Sequence, residues 1–225
     1  MLNYKLLIVL CLVFIVTGCA SSHKMALTKD QSSIDITKKS IALLSIKVSN
    51  QHKPNCQPDI TGAVLCPKSE TCSRPVPFLH KPETPYRSEK DRFKEYLLSF
   101  ELDSGSYHLQ WIGARYAIPL IIESGGKIPI DMEIDIIPNK IIYLGHFDVV
   151  LRERKNDNEI RAGSVVPLID QTTSGFSSGT FDVVIEDRFN EDMKAFISEY
   201  PVLQNVTVEK AVLPQWIRPE NRNIK

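Results

Sequence analysis

The stretch YLLSFELDSGSYHLQWIGA, residues 96–114, decides how the chain is expected to fold. Leu98, Phe100 and Leu102 alternate with Ser99 and Glu101, the period of a strand with one face in a core. Asp103-Ser104-Gly105-Ser106 interrupts that period with turn residues, and Gly105 suits a position of positive φ. Alternation resumes at Tyr107, Leu109 and Trp111, so the stretch predicts an antiparallel hairpin.

The same reading extends in both directions. Upstream, Ala42, Leu44, Ile46 and Val48 mark one strand face and Ser45, Lys47 and Ser49 the other. Downstream, Met132, Ile134 and Ile136 lead into the turn Pro138-Asn139-Lys140. Ile141, Tyr143, Phe147, Val149 and Leu151 then return on one face, which predicts a second hairpin. Short strands are expected at Ile160 to Leu168 and at Val206 to Val212.

At Phe189, Met193, Phe196, Ile197 and Tyr200 the spacing changes to three and four, an amphipathic helix over 188–200 that Pro201 stops. Asp187 or Asn190 is its expected cap, and Glu191 and Asp192 suit the positive helix end.

Between these elements, residues 50–94 hold seven of the fourteen prolines and all of Cys56, Cys66 and Cys72. Proline lacks the N–H that a sheet ladder needs, so this segment is expected to be an irregular insertion. The fold class that follows is mainly β: an antiparallel β-sandwich with a long Pro/Cys-rich insertion and one C-terminal amphipathic helix. It would form a single domain over 41–217, followed by a tail at 218–225.

The amino terminus decides the compartment. Lys5, an apolar run from Leu6 to Val16 and the small residues Thr17 and Gly18 have the anatomy of a signal peptide, residues 1–18. The run is well short of the ~20 residues needed to cross a bilayer as a helix. Val16-Thr17-Gly18-Cys19-Ala20 resembles the lipobox of bacterial lipoproteins. The resemblance implies cleavage before Cys19, a diacylglycerol on its thiol and an acylated new amino terminus. Acyl chains buried at ~0.8 kcal/mol per methylene would hold such a protein stably on a membrane. Ala20, rather than an aspartate, implies the outer membrane, with the body facing the periplasm. Residues 19–40 then read as the lipidated cysteine and a polar, flexible tether.

The chain has 27 basic and 27 acidic side chains, which gives no overall pull towards nucleic acid. In an oxidising compartment two of Cys56, Cys66 and Cys72 are expected to pair, and the sequence does not choose which.

Motifs for a nucleophile elbow, a phosphate loop, a zincin helix or a dinucleotide site are absent, so no catalytic residue, cofactor or metal ligand is assigned. His108 and His146, both in expected strands, would meet only if those strands paired. Asp182, Glu186, Asp187, Glu191 and Asp192 form a local acidic patch without the ligand spacing of a calcium loop. Phe176, within a Ser/Thr/Gly-rich segment, is either an aromatic loop tip that docks on a partner or a side chain folded inward. Trp216, between Pro214 and Pro219, is the second candidate for an interaction residue.

The run FELDSGSYHLQWI, residues 100–112, followed by IPIDMEIDIIPNKIIYLGHFDVVL, is similar to the strand–turn–strand pattern of transthyretin-like and carboxypeptidase-regulatory-like β-sandwiches. The resemblance covers about 41–168 and implies a binding or structural module without carrying over active residues. The leading expectation is a membrane-anchored, non-enzymatic envelope lipoprotein that interacts with another envelope protein. The alternatives are a periplasmic hydrolase acting on peptide or cell-wall substrates, which needs His108 or His146 beside an acid and a nucleophile or metal, and a carrier of a small hydrophobic ligand.

Overall fold

The computed structural model describes residues 22–68, 72, 75–80, 85–118, 122–165 and 172–219. The expected signal peptide, residues 1–18, and Cys19 lie outside these residues. The elements are β1 (His23–Lys24), β2 (Ser40–Asn50), β3 (Asp59–Pro67), β4 (Val76–Leu79), β5 (Arg87–Glu89) and β6 (Phe93–Leu102). They continue with β7 (Gly105–Ile118), β8 (Ile122–Ile136), β9 (Ile141–Glu153), β10 (Gly179–Glu186), helix α1 (Phe189–Glu199), a 3₁₀ turn (Pro201–Leu203) and β11 (Val208–Lys210).

The strands form two sheets, one of five strands in the order β1-β4-β3-β7-β8 and one of six built on β10-β9-β2-β6-β5. Both are mixed rather than antiparallel: β1 runs parallel to β4, and β9 runs parallel to β2 and to β11. One apolar cluster draws on both sheets, with Leu44 and Ile46 of β2, Phe100 of β6, Leu109 and Ile112 of β7, Ile128 of β8 and Phe147 of β9 all buried in it.

Neither expected hairpin forms. The alternation on either side of Gly105 is real, but β6 belongs to the six-stranded sheet and β7 to the five-stranded one. The turn at Asp103 and Ser104 is therefore a corner between sheets. The same holds for Pro138-Asn139, which carries the chain from β8 to β9. Side-chain alternation states which face is buried and says nothing of the strand alongside. The long local hairpin is instead β7 with β8, registered from Gly105 opposite Ile136 to Ile118 opposite Ile122.

The expected insertion is also replaced by sheet. Residues 50–94 contain β3, β4 and β5, and β3 lies between β4 and β7. The prolines are placed where their missing N–H costs little: Pro58 precedes β3, Pro67 ends it and Pro75 precedes β4. Pro77, opposite Val64, lies in β4, whose outer neighbour β1 has only two residues. Cys66 and Cys72 form the disulfide, and Cys56 is a buried free thiol. Of the strand expected at 160–168, the described residues 160–165 form a single bridge, between Gly163 and Gly126, and 166–168 lie outside the described residues.

From His23 onwards the chain is not a free tether. His23 and Lys24 pair with Phe78 and Leu79, Ala26 N–H donates to Ser99 O (2.9 Å), and Leu27 is buried. Leu27 joins a second apolar cluster with Ile41, Leu43, Tyr143, Phe196 and Leu203. This cluster puts helix α1 and the segment around Ile34 and Ile36 over the outer face of the six-stranded sheet. Strand β2 is thus buried on both faces, as its near-continuous apolar sequence requires.

Phe176 is fully buried in the first cluster and packs edge-on to Phe181, so it is no exposed loop tip. Asn50 holds its segment in place by donating from Nδ2 to Cys56 O and Ser174 O (both 2.9 Å).

Candidate functional site

Two places in the fold gather polar side chains. The first is created by Gly145. Strict alternation would put Ile141, Tyr143, Phe147 and Leu151 on one face, but the register between β2 and β9 shifts between Leu43 and Ser45, and Gly145 takes φ +122°. The extra residue is a β-bulge, which inverts the faces on either side of it. Ile141 and Tyr143 therefore face helix α1, while Phe147, Val149 and Leu151 face the core shared by the sheets. The inversion also brings His146 and Tyr143 to the same face, beneath the helix.

There Asp192 Oδ2 accepts hydrogen bonds from Ser45 Oγ and from Tyr143 OH (2.6 Å). His146 Nδ1 lies 2.9 Å from Ser45 Oγ and 3.5 Å from Asp192 Oδ2, and Arg188 reaches His146 Nε2 at 3.0 Å. Ser45, Tyr143, His146 and Asp192 are all buried. Burial pushes the Asp192 carboxyl up, but bonds from His146, Ser45 and Tyr143 outweigh it and hold the group below its ordinary range. Burial, then the bond to Asp192, pushes the Tyr143 phenol well up.

The partners assign the protons. A carboxylate only accepts, so the single Ser45 proton points to Asp192; Ser45 Oγ then accepts from His146 Nδ1–H, and Nε2 accepts from Arg188. A hydrolytic serine instead gives its proton to the histidine, with the acid on the opposite ring nitrogen. Here serine and acid share the Nδ1 side and an arginine takes the other. In this arrangement the network joins helix α1 to β2 and β9.

The second place is the outer face of the five-stranded sheet, where a groove of about 1090 Å³ lies among β3, β7, β8 and residues 160–164. Its floor is glycine. A Cβ on Gly113 would come 2.4 Å from Thr61 Oγ1 and 3.5 Å from Trp111 Cζ3, so the indole reaches over this glycine. A Cβ on Gly126 would meet Ala162 O at 1.9 Å, so residues 160–164 approach β8 only because Gly126 has no side chain. The exposed Lys127 ammonium sits 4.6 Å from the Trp111 ring centre. Arg115 pairs with Glu123 (3.4 Å), and His108 Nε2 with Asp131 (2.8 Å).

His108 and His146 thus lie on different sheets and do not meet. The acidic patch is mostly taken up by side chains: Asp182 binds Arg152 and Arg218, Asp187 binds Lys210, and Asp192 is buried in the network above. Among the described residues, no group of three or more His, Cys, Asp or Glu is placed to hold a metal, and no helix is long and apolar enough to cross a membrane. Trp216 donates from Nε1 to Pro129 O (2.9 Å) and ties the C-terminal segment to β8 beside the groove. Sequence reasoning missed Ser45, Tyr143 and Trp111 as site residues. A glycine inside an apolar strand, Gly145, was the signal for the first of these places.

Compared with known proteins, the chain matches no family model, no characterised protein and no solved structure.

Proposed function

We propose that this chain is a lipid-anchored, non-enzymatic interaction module of the bacterial envelope, with its two sheets closed as a β-sandwich and the outer face of the five-stranded sheet as its working surface. The observation that carries the reading is the unequal treatment of the two sheets. The six-stranded sheet is covered by α1 and the N-terminal segment, while the five-stranded sheet presents a groove in which Arg115 pairs with Glu123 and the Lys127 ammonium lies over the Trp111 ring. Concave sites that combine an apolar floor with a few fixed polar groups are where ligands bind.

The anchor is read from Val16-Thr17-Gly18-Cys19, and Ala20 favours the outer membrane with the body in the periplasm. Only Ala20, Ser21 and Ser22 separate Cys19 from β1, a contour of roughly 13 Å at ~3.3 Å per residue. On this reading the body rides close to the bilayer, with one end of the sheets towards it.

The test is palmitate labelling and membrane fractionation of the full chain against Cys19→Ser, combined with a photo-crosslinker in place of Lys127. The expected result is labelling and membrane association that depend on Cys19, with envelope material captured from position 127. A Cys19→Ser chain that still labels and fractionates with membranes refutes the anchor.

The meeting of Ser45, His146 and Asp192 favours hydrolysis as the second reading. Covalent labelling of Ser45 by a fluorophosphonate would establish it, and the proton arrangement above predicts none.

A further inference from the structure

We infer that His146 is a proton-operated latch: the neutral ring holds Arg188 at the start of helix α1, and a second proton on the ring sends Arg188 to the acids beside it. The latch lies on the six-stranded sheet and depends neither on the lipid anchor nor on the groove of the other sheet.

It follows from what each group can donate. Both ring nitrogens are engaged, Nδ1 at 2.9 Å from Ser45 Oγ and Nε2 at 3.0 Å from Arg188 Nη1. A guanidinium has five donors and no acceptor, so the contact with Arg188 exists only while Nε2 keeps its lone pair. A proton there sets one N–H against another and places two positive charges at that distance. The pair then repels, and one member has to leave.

Position decides which. His146 is buried in β9 between Ser45 of β2 and Glu186 of β10, its partners across the sheet. Its Nδ1 side is held by Ser45, and Asp192 Oδ2 at 3.5 Å favours a charged ring. Arg188 is half-buried, directly precedes the helix, and lines a cleft of about 230 Å³ with Glu191, Tyr86 and Arg87. The ring therefore stays and the arginine swings.

The surroundings supply the destination. Tyr143 faces the network from β9 itself, and Ser45 faces it from β2, where Lys47 further along is paired with Asp148 (2.8 Å). From β6 comes Glu95, tied to Arg87 of β5 (2.9 Å), and after β10 Asp187 is tied to Lys210 (2.8 Å). With those pairs cancelled, Glu186, Glu191 and Asp192 remain as acids against Arg188 alone. Glu186 and Glu191 are exposed, have no ion-pair partner among the described residues, and lie two and three residues from Arg188. They are within reach of its long side chain without any movement of the helix.

The two states differ in what they present. With the ring neutral, Arg188 covers Nε2 and ties the start of α1 to β9. With the ring charged, that tie becomes a surface ion pair, and an Nε2–H donor faces the cleft in its place.

The experiment is an NMR titration of the full chain in detergent, with 15N in the histidine rings and arginine guanidinium groups, from about pH 8 to about pH 5. His146→Gln and Arg188→Gln identify the two signals by their loss. At the basic end the His146 proton is expected on Nδ1 with Nε2 bare; on acidification Nε2 gains a proton and the Arg188 signal moves with the same midpoint. Arg188→Gln removes the competing charge and should raise that midpoint by about one pH unit, a proton affinity about tenfold higher. The double change Glu186→Gln, Glu191→Gln, at two exposed side chains, should lower the midpoint, because the displaced arginine loses its destination. A proton on Nε2 at the basic end overturns the latch, as does a ring that stays neutral down to about pH 5. An Arg188 signal that stays still while the ring titrates, or a midpoint unmoved in both sets of variants, overturns it equally.

Discussion

The buried carboxylate of Asp192 provides the sharpest test of how this fold is held. Asp192→Ala leaves the hydroxyls of Ser45 and Tyr143 buried without their acceptor, a penalty of about 1–3 kcal/mol each and so about 2–6 kcal/mol in all. Tyr143→Phe keeps the ring against Phe189 and removes one bond to a charged group, about 1.5–3 kcal/mol. In the double variant no tyrosine hydroxyl is stranded, so its cost should fall short of the sum of the two by about 1–3 kcal/mol.

Urea unfolding measures these differences through shifted midpoints at unchanged slope. The folded carboxyl titrates below its ordinary value. Its stabilisation is therefore fully present above the unfolded pKa of about 3.9 and is lost as pH falls through the folded pKa. The gap between wild type and Asp192→Ala should accordingly shrink only in that acid range. Additivity of the two single changes within about 0.5 kcal/mol, or an Asp192→Ala chain as stable as wild type at neutral pH, would refute the network as the tie between helix and sheet.

Four further outcomes are expected. Phe196→Ala, at the fully buried centre of the helix face, should cost about 3–5 kcal/mol in chemical denaturation. The Arg152 guanidinium beside Glu159 holds that carboxyl at about 2, so its contribution is present above the unfolded pKa near 4.5 and is lost as pH falls towards 2; Glu159→Gln should flatten this part of the stability profile. Gly126→Val should displace residues 160–164 from β8 and cost about 1–3 kcal/mol, seen as faster amide exchange at Lys127 and Gly163. Peptide mapping without reduction should recover Cys66 joined to Cys72, and opening that short loop with a Cys66→Ser, Cys72→Ser chain should lower stability by roughly 2 kcal/mol.

The parts of this fold that could be read from sequence are those where local pattern equals local burial. Ala42, Leu44, Ile46 and Val48 do face the common core, and Phe189 to Glu199 is a helix with Phe196 inward. Pairing was not legible, because Asp103-Ser104-Gly105 is an equally good turn whether the next strand lies alongside or crosses to the other sheet. Prolines misled for a related reason: their effect depends on which backbone N–H the ladder needs, and that is a property of neighbours distant in sequence. The Ser45–His146–Asp192 network joins residues about one hundred and about one hundred and fifty positions apart, through a bulge at Gly145. The groove was hidden likewise, since Thr61, Trp111, Gly113 and Gly126 come from three strands.

The two-residue strand β1 has a mechanical consequence. A load applied through the amino terminus is carried first by the pairing of His23 and Lys24 with β4, a very small ladder, and only then by the buried Leu27. Under tension this clasp yields before any strand of the main sheets. If the chain peels back to β2, residues 23–39 are released and add roughly 55 Å of contour at ~3.3 Å per residue. If the chain is anchored at Cys19 as proposed, the body carries spare cable, released under strain and wound back as His23 and Lys24 re-pair with Phe78 and Leu79.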